Sequence, residues 1–327
     1  MEGIDATDRN IIISNATPPS ILTIILDTNP IAWSALSPTL PLTKALSSLL
    51  VFINAHLAIN HANQVCVIAS HTDRSTWLYP TPKPTKGHRH SSTNKSNGVS
   101  KPTAEEDANK YRPFLAIEQQ VLSNLRALID DTDPDTLEEG ESTQIAGALT
   151  IALTYINQQT LQASPSGPDS NYIRVAEQPP PSTSTTAGQS QTSSLVSRIL
   201  VLSVSSDLSS QYISVMNAIF ASQRLQIPID VLKLAGDTVF LQQASDATGG
   251  IYLAPETEAL KGGAGLLQYL MMGYLPDVTS RRWLVMPGDQ EVDFRAACFC
   301  HRDVVDLGFV CSVCLSSTFL RSQGLTR

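Results

Sequence analysis

Residues 21–27 read Ile-Leu-Thr-Ile-Ile-Leu-Asp, a short apolar run closed by a carboxylate. A run this apolar, without polar alternation, predicts a strand covered on both faces, as in parallel sheets, with Asp27 at its C-terminal edge. The pattern then recurs down the chain. Leu42, Leu46, Leu49, Leu50, Ile53 and Leu57 repeat at helical spacing. Residues 64–69 and 77–79 read as strands, 114–129 and 144–157 as helices. Residues 198–203, 229–234 and 250–253 read as strands, and 211–226, 239–247 and 265–274 as helices. On the helix at 211–226 the spacing turns Ile213, Met216 and Phe220 inward. Strands alternating with helices predict an α/β fold: a mostly parallel sheet with helices on both faces.

Two segments interrupt this pattern. Residues 81–112 are rich in Pro, Ser, Thr and Lys and carry seven Lys/Arg against three acids. Residues 162–194 contain Pro179-Pro180-Pro181 and a Ser/Thr/Gln tract. Neither has the apolar content to build a core, so both read as insertions in one domain spanning about 18–276. The most apolar stretch, Leu42–Ile59, is broken by Lys44, Asn54 and His56 and predicts a buried helix rather than a membrane span. The polar, acidic start of the chain does not read as a secretory signal. A net charge of −8 argues against strong independent binding of nucleic acid, which needs basic surface.

Four of the five cysteines, Cys298, Cys300, Cys311 and Cys314, fall in two pairs near the C-terminus. Four thiolates close a tetrahedral shell around one Zn²⁺ with no open position for water, so the site would be structural. A segment this short, residues 290–316, would draw its folding free energy from the metal. His301 can replace one thiolate, but beside Cys300 it reads first as a neighbour of the site. The rival reading is four free or oxidised cysteines. Cys66 lies in an apolar run and reads as core.

Enzyme signatures are missing from the sequence. The turn after the first strand, Asp27-Thr28-Asn29-Pro30-Ile31-Ala32, has no glycine for a dinucleotide cradle. Gly262, Gly263 and Gly265 do not follow a strand and read as a loop. No Walker lysine motif and no Gly-x-Ser-x-Gly elbow occurs. An acid ending the first strand, with small polar residues behind it, resembles the von Willebrand A domain. In its metal-binding members an Asp-x-Ser-x-Ser turn, a Thr and a second Asp hold Mg²⁺. Here Asn29 and Ile31 replace the two serines, and Thr143 and Asp207 fall where the other loops belong. Ile31 cannot ligate, so the expectation is a metal-free, structural Asp27.

More specific segments follow. They are Leu26-Asp-Thr-Asn-Pro30 with Trp33, Ala146-Gly-Ala-Leu149 with Tyr155-Ile-Asn157, and Gln211-Tyr212 with Ile219-Phe-Ala221. Leu241-Gln-Gln-Ala244 with Thr248-Gly-Gly250, Arg295-Ala-Ala-Cys-Phe-Cys-His-Arg302 and Cys311-Ser-Val-Cys-Leu-Ser316 complete the set. In this order they resemble the small von Willebrand A-like subunit family of TFIIH, the general transcription and excision-repair factor. The resemblance implies a non-catalytic nuclear scaffold. Its implied partners are a larger subunit with its own von Willebrand A and RING-like domains and the rest of core TFIIH. It implies no membrane contact. The alternative is a Mg²⁺-dependent ligand-binding module of another complex. Trp33, Trp283 and Arg282 are candidate contact residues by type. Residues 317–327 depart from the family pattern, which continues with more cysteines and a basic tail, so the expectation is a truncated or mis-spliced C-terminus, with natural loss of a second half-module as the alternative.

Overall fold

The computed structural model describes residues 18–81, 112–133, 143–163, 195–205, 211–236, 238–285 and 292, together with four two-residue strands further on. The two insertions, apart from their edges, lie outside the described residues, and so do Asp207, His301 and the four clustered cysteines.

Six strands form the central sheet: β1 Ser20–Asp27, β2 Gln64–Ser70, β3 Ser75–Tyr79, β4 Val196–Ser203, β5 Ile229–Lys233 and β6 Tyr252–Leu253. Their order is β3-β2-β1-β4-β5-β6, parallel throughout except for the antiparallel edge strand β3. The run that opened the sequence reading is therefore the central strand, flanked by β2 and β4. Its side chains alternate between two cores. Leu22, Ile24 and Leu26 face one, and Ile21 and Ile25 face the other.

On the first face lie α1 (Pro30–Leu36), α2 (Leu42–Ile59), α3 (Arg112–Asp130) and α8 (Ala264–Tyr269), the last continuing through a π turn to Tyr274. Helix α2 is long and apolar enough to cross a bilayer, yet it packs on the sheet through Leu46, Leu49, Phe52 and Ile53. The second face carries α4 (Ile145–Ala163), α5 (Tyr212–Leu225) and α6 (Val239–Thr248). Short helices α7 (Thr257–Leu260) and α9 (Val278–Arg281) flank α8.

The structure corrects one helix face. On α5 the buried stripe is Val215, Ala218, Ile219 and Ser222, whereas Ile213 and Phe220 are about half exposed. The spacing 215, 218, 219, 222 is as helical as the expected one. Helix α5 packs between its neighbours α4 and α6, and small Ala218 and Ser222 lie on the side turned to the core, so fit between helices rather than hydrophobicity alone selected the face. Helix α1 was not anticipated, because a turn containing proline hid its first residue. Proline is suited to that position, since its missing N–H would have no partner there.

Gly250 shows why a glycine stands after α6. A Cβ on it would sit 1.9 Å from the Ile229 carbonyl oxygen, so the backbone entering β6 can pass only without one. Gly262 and Gly263 adopt positive φ in the short 3₁₀ turn before α8, whereas Gly265, read with them as loop, lies inside α8.

Beyond the main domain, β7 (Ala296–Ala297) pairs antiparallel with β8 (Val304–Val305), and β9 (Phe309–Val310) with β10 (Ser317–Thr318). In sequence, Cys298 and Cys300 fall between the first pair of strands and Cys311 and Cys314 between the second.

Candidate functional site

Ligands of open α/β sheets bind beyond the carboxyl ends of the strands, and that edge is where Asp27 stands. Asp27 is fully buried. Its Oδ1 accepts from the Asn29 amide at 3.2 Å, and its Oδ2 from the Val204 and Ser205 amides at 3.0 and 2.8 Å. The carboxylate thus ties the turn after β1 to the turn after β4. Burial raises its pKa, and the hydrogen bonds from Ser205, Val204 and Asn29 oppose that rise.

Of the other residues at the positions of a Mg²⁺ site, Asn29, Ile31 and Thr143 are described and Asp207 is not. The Asn29 Oδ1 accepts from Ile31 and Ala32 at 3.1 and 3.3 Å, capping α1, and its Nδ2 donates to Ser205 Oγ at 3.2 Å. Ile31 contributes a backbone amide only. Thr143 is buried, and its Oγ1 has no hydrogen-bond partner among the described residues. Its carbonyl accepts from Gln211 Nε2 at 2.6 Å, and the Gln211 Oε1 accepts from the Ala146 amide. Gln211, singled out in the sequence only as part of a segment, therefore bridges the start of α5 to the start of α4.

Trp33 is no contact anchor. It is buried, and its indole Nε1 donates to the Asp27 carbonyl at 2.8 Å. His71 was missed by sequence reading. It is buried beside Thr28, with Nδ1 3.0 Å from the Thr28 carbonyl and Nε2 2.9 Å from Thr132 Oγ1. It joins the β1 turn to the end of α3. An isolated histidine after a strand carries no periodic signal that could have announced this. Cys66 is core, as expected, and burial pushes its thiol pKa up.

The opposite edge of the sheet holds a second polar cluster. Asp230, at the start of β5, receives Arg281 Nη1 and Nη2 at 2.8 and 2.6 Å, and its Oδ1 also accepts from the Ile251 amide. Arg198 of β4 donates to the Pro276 and Leu275 carbonyls, and burial lowers its pKa to about 10. Tyr274 Oη donates to the Val231 carbonyl at 2.6 Å. Together these bonds clamp residues 274–281 under the sheet. Just past the clamp the surface turns apolar. Trp283 is 89% and Val285 fully exposed, and Met272 is 79% exposed on the neighbouring turn. A groove of about 780 Å³ lies beside Met272 and Val285, walled also by Leu253, Tyr269 and Leu284. Arg282 is exposed too, so two of the three residues singled out by type are on the surface.

A family model described as Transcription factor Tfb4 matches residues 19–322. The chain belongs to the Tfb4 family. The Schizosaccharomyces pombe general transcription and DNA repair factor IIH subunit tfb4 is 41% identical over 298 residues, covering 91% of this chain and 84% of that protein. The Saccharomyces cerevisiae subunit TFB4 is 33% identical over 308 residues, covering 91% and 80%. Among solved structures, the TFIIH p34 N-terminal domain is 40% identical with a TM-score of 0.58, covering 79% of this chain and 98% of that one. The Tfb4 match includes both the Asp27 edge and the Arg281 clamp.

Proposed function

We propose that this chain is a structural, non-catalytic subunit of core TFIIH, working in the nucleus in RNA polymerase II initiation and nucleotide excision repair through protein contacts. The family match over residues 19–322 carries this reading. The geometry of the Asp27 edge supports it, because the Asp27 carboxylate and the Asn29 amide are spent on holding loops together rather than aimed at a ligand. For the same reason we infer that this von Willebrand A-like domain binds no Mg²⁺. Asn29 offers its oxygen to a helix end, and Ile31 offers none to a metal. Its partners on this reading are the larger von Willebrand A/RING-like subunit and the other core subunits. A tagged chain expressed at native level is expected to co-purify the helicase and scaffold subunits of TFIIH from nuclear extract, identified by mass spectrometry, equally with and without a Mg²⁺ chelator. Their absence would sink the assignment, and loss on chelation would favour the metal-dependent module instead.

The C-terminal segment on this reading is a structural zinc module using Cys298, Cys300, Cys311 and Cys314. Its support is the pairing of β7 with β8 and β9 with β10, since each cysteine pair falls in the sequence between two strands that pair. Two-residue strands are too short to be stable alone, and a metal would supply what they lack. Elemental analysis of purified protein is expected to give one zinc per chain. Chelation should expose four thiols together and increase proteolysis of residues 290–318. Metal-free protein with freely titrating thiols would remove the module.

A further inference from the structure

We propose that a cleft at the N-terminal edge of the sheet seats the chain's own first 17 residues, which lie outside the described ones. The cleft has a volume of about 360 Å³, and its walls include Pro18, Ser20, His56, Ile59, Arg198 and Leu284. Pro18, the first described residue, itself lines the cleft, so residues 1–17 are tethered at its wall. That entry is held on both sides. The Ser20 amide donates to Asn63 Oδ1 at 2.9 Å, and the Pro19 carbonyl accepts from the Val196 amide at 3.0 Å.

The rim is apolar and uncovered. Ile59 is 56% and Leu284 49% exposed. The segment supplies a matching surface: Ile11-Ile12-Ile13, the longest apolar run in its sequence, ends five residues before Pro18. An extended chain advances about 3.3 Å per residue, so five to seven residues reach roughly 16–23 Å, enough to return across a cleft of this size. A tether this short gives the segment an effective concentration on the order of millimolar, which an unlinked apolar peptide would have to exceed. The deeper wall is polar but already satisfied, with Arg198 on two carbonyls and His56 near Ser20 and Asn63. The occupant therefore needs apolar side chains at the rim more than a charge in the floor.

The test uses the full chain carrying Ile59→Cys, with maleimide labelling at that position followed by peptide mass spectrometry. Labelling is expected to be about tenfold slower than in the same chain lacking residues 2–17, as a tethered segment in the millimolar range would produce. Replacing Ile11, Ile12 and Ile13 by Asp should give the fast rate. A synthetic peptide of residues 1–17 should slow labelling of the shortened chain. Leu284→Cys is a second probe on the opposite rim, should the first variant fold poorly. Equal rates in full and shortened chains at both positions would overturn the proposal. So would protection of the shortened chain that grows with protein concentration, since a second copy would then be the occupant.

Discussion

Arg281→Ala is expected to destabilise the protein by about 3–5 kcal/mol, the largest single effect outside the hydrophobic cores. Asp230 has 1% and Arg281 10% of its side-chain surface exposed, and they meet in a two-pronged pair at 2.8 and 2.6 Å. Truncating the arginine leaves a carboxylate in the interior with the Ile251 amide as its hydrogen bond and the charge of buried Arg198 nearby. The cost is that of a buried charge stripped of its direct partner rather than the net worth of the pair. The double variant Asp230→Asn, Arg281→Met should therefore recover much of the loss. A comparison is built into the molecule. Arg74 pairs with Asp131 on the surface, where both are well exposed, and Arg74→Ala should cost no more than about 1 kcal/mol. Urea unfolding of the three variants checks the ranking. A loss under about 1 kcal/mol for Arg281→Ala would mean that water reaches Asp230 freely. The same variant should loosen α9, seen as faster amide exchange over residues 277–285. The clamp matters for function because it fixes where the chain leaves the main domain, and with it Trp283 and Val285, for the segment carrying the cysteines.

The sheet was legible because its strands are buried on both faces, so composition alone marked them. Ile21 to Leu26 needed no alternation to be read. Helix faces were less legible. On α5, Ile213 and Phe220 are more hydrophobic than Ala218 and Ser222, yet the small residues are the buried ones. Hydrophobicity alone does not register that packing between neighbouring helices rewards small side chains. Asp27 was legible as the acid that closes the first strand at the carboxyl edge of the sheet. Its partners were not, because they are backbone amides of Val204 and Ser205, far away in the sequence. The same blindness hid the Asp230–Arg281 pair. A charge inside a strand and an arginine in an apparent linker carry no pattern linking them until the sheet order brings β5 over the chain's return.

Asp27→Ala is the second large effect expected, at about 3 kcal/mol. The substitution strands three backbone amides, those of Asn29, Val204 and Ser205, in an interior where each lost bond costs roughly 1–3 kcal/mol. Relief from burying a charge, and any water that enters, offset part of that sum. The pH dependence separates this role from that of an ordinary paired carboxylate. A salt-bridged Asp has a folded pKa below its unfolded value and loses its contribution as pH falls. Asp27 has a folded pKa raised by burial, so between that value and the unfolded 3.8 the native state binds the proton more readily. The contribution of Asp27 then increases as pH falls through that window. The gap between wild type and Asp27→Ala should therefore widen on acidification from pH 7 towards pH 4, measured by urea unfolding at each pH. A gap that narrows would show a carboxylate stabilised as the anion. Mg²⁺ at millimolar concentration should shift the melting temperature of neither protein, because the oxygens it would need already hold the turns after β1 and β4 together.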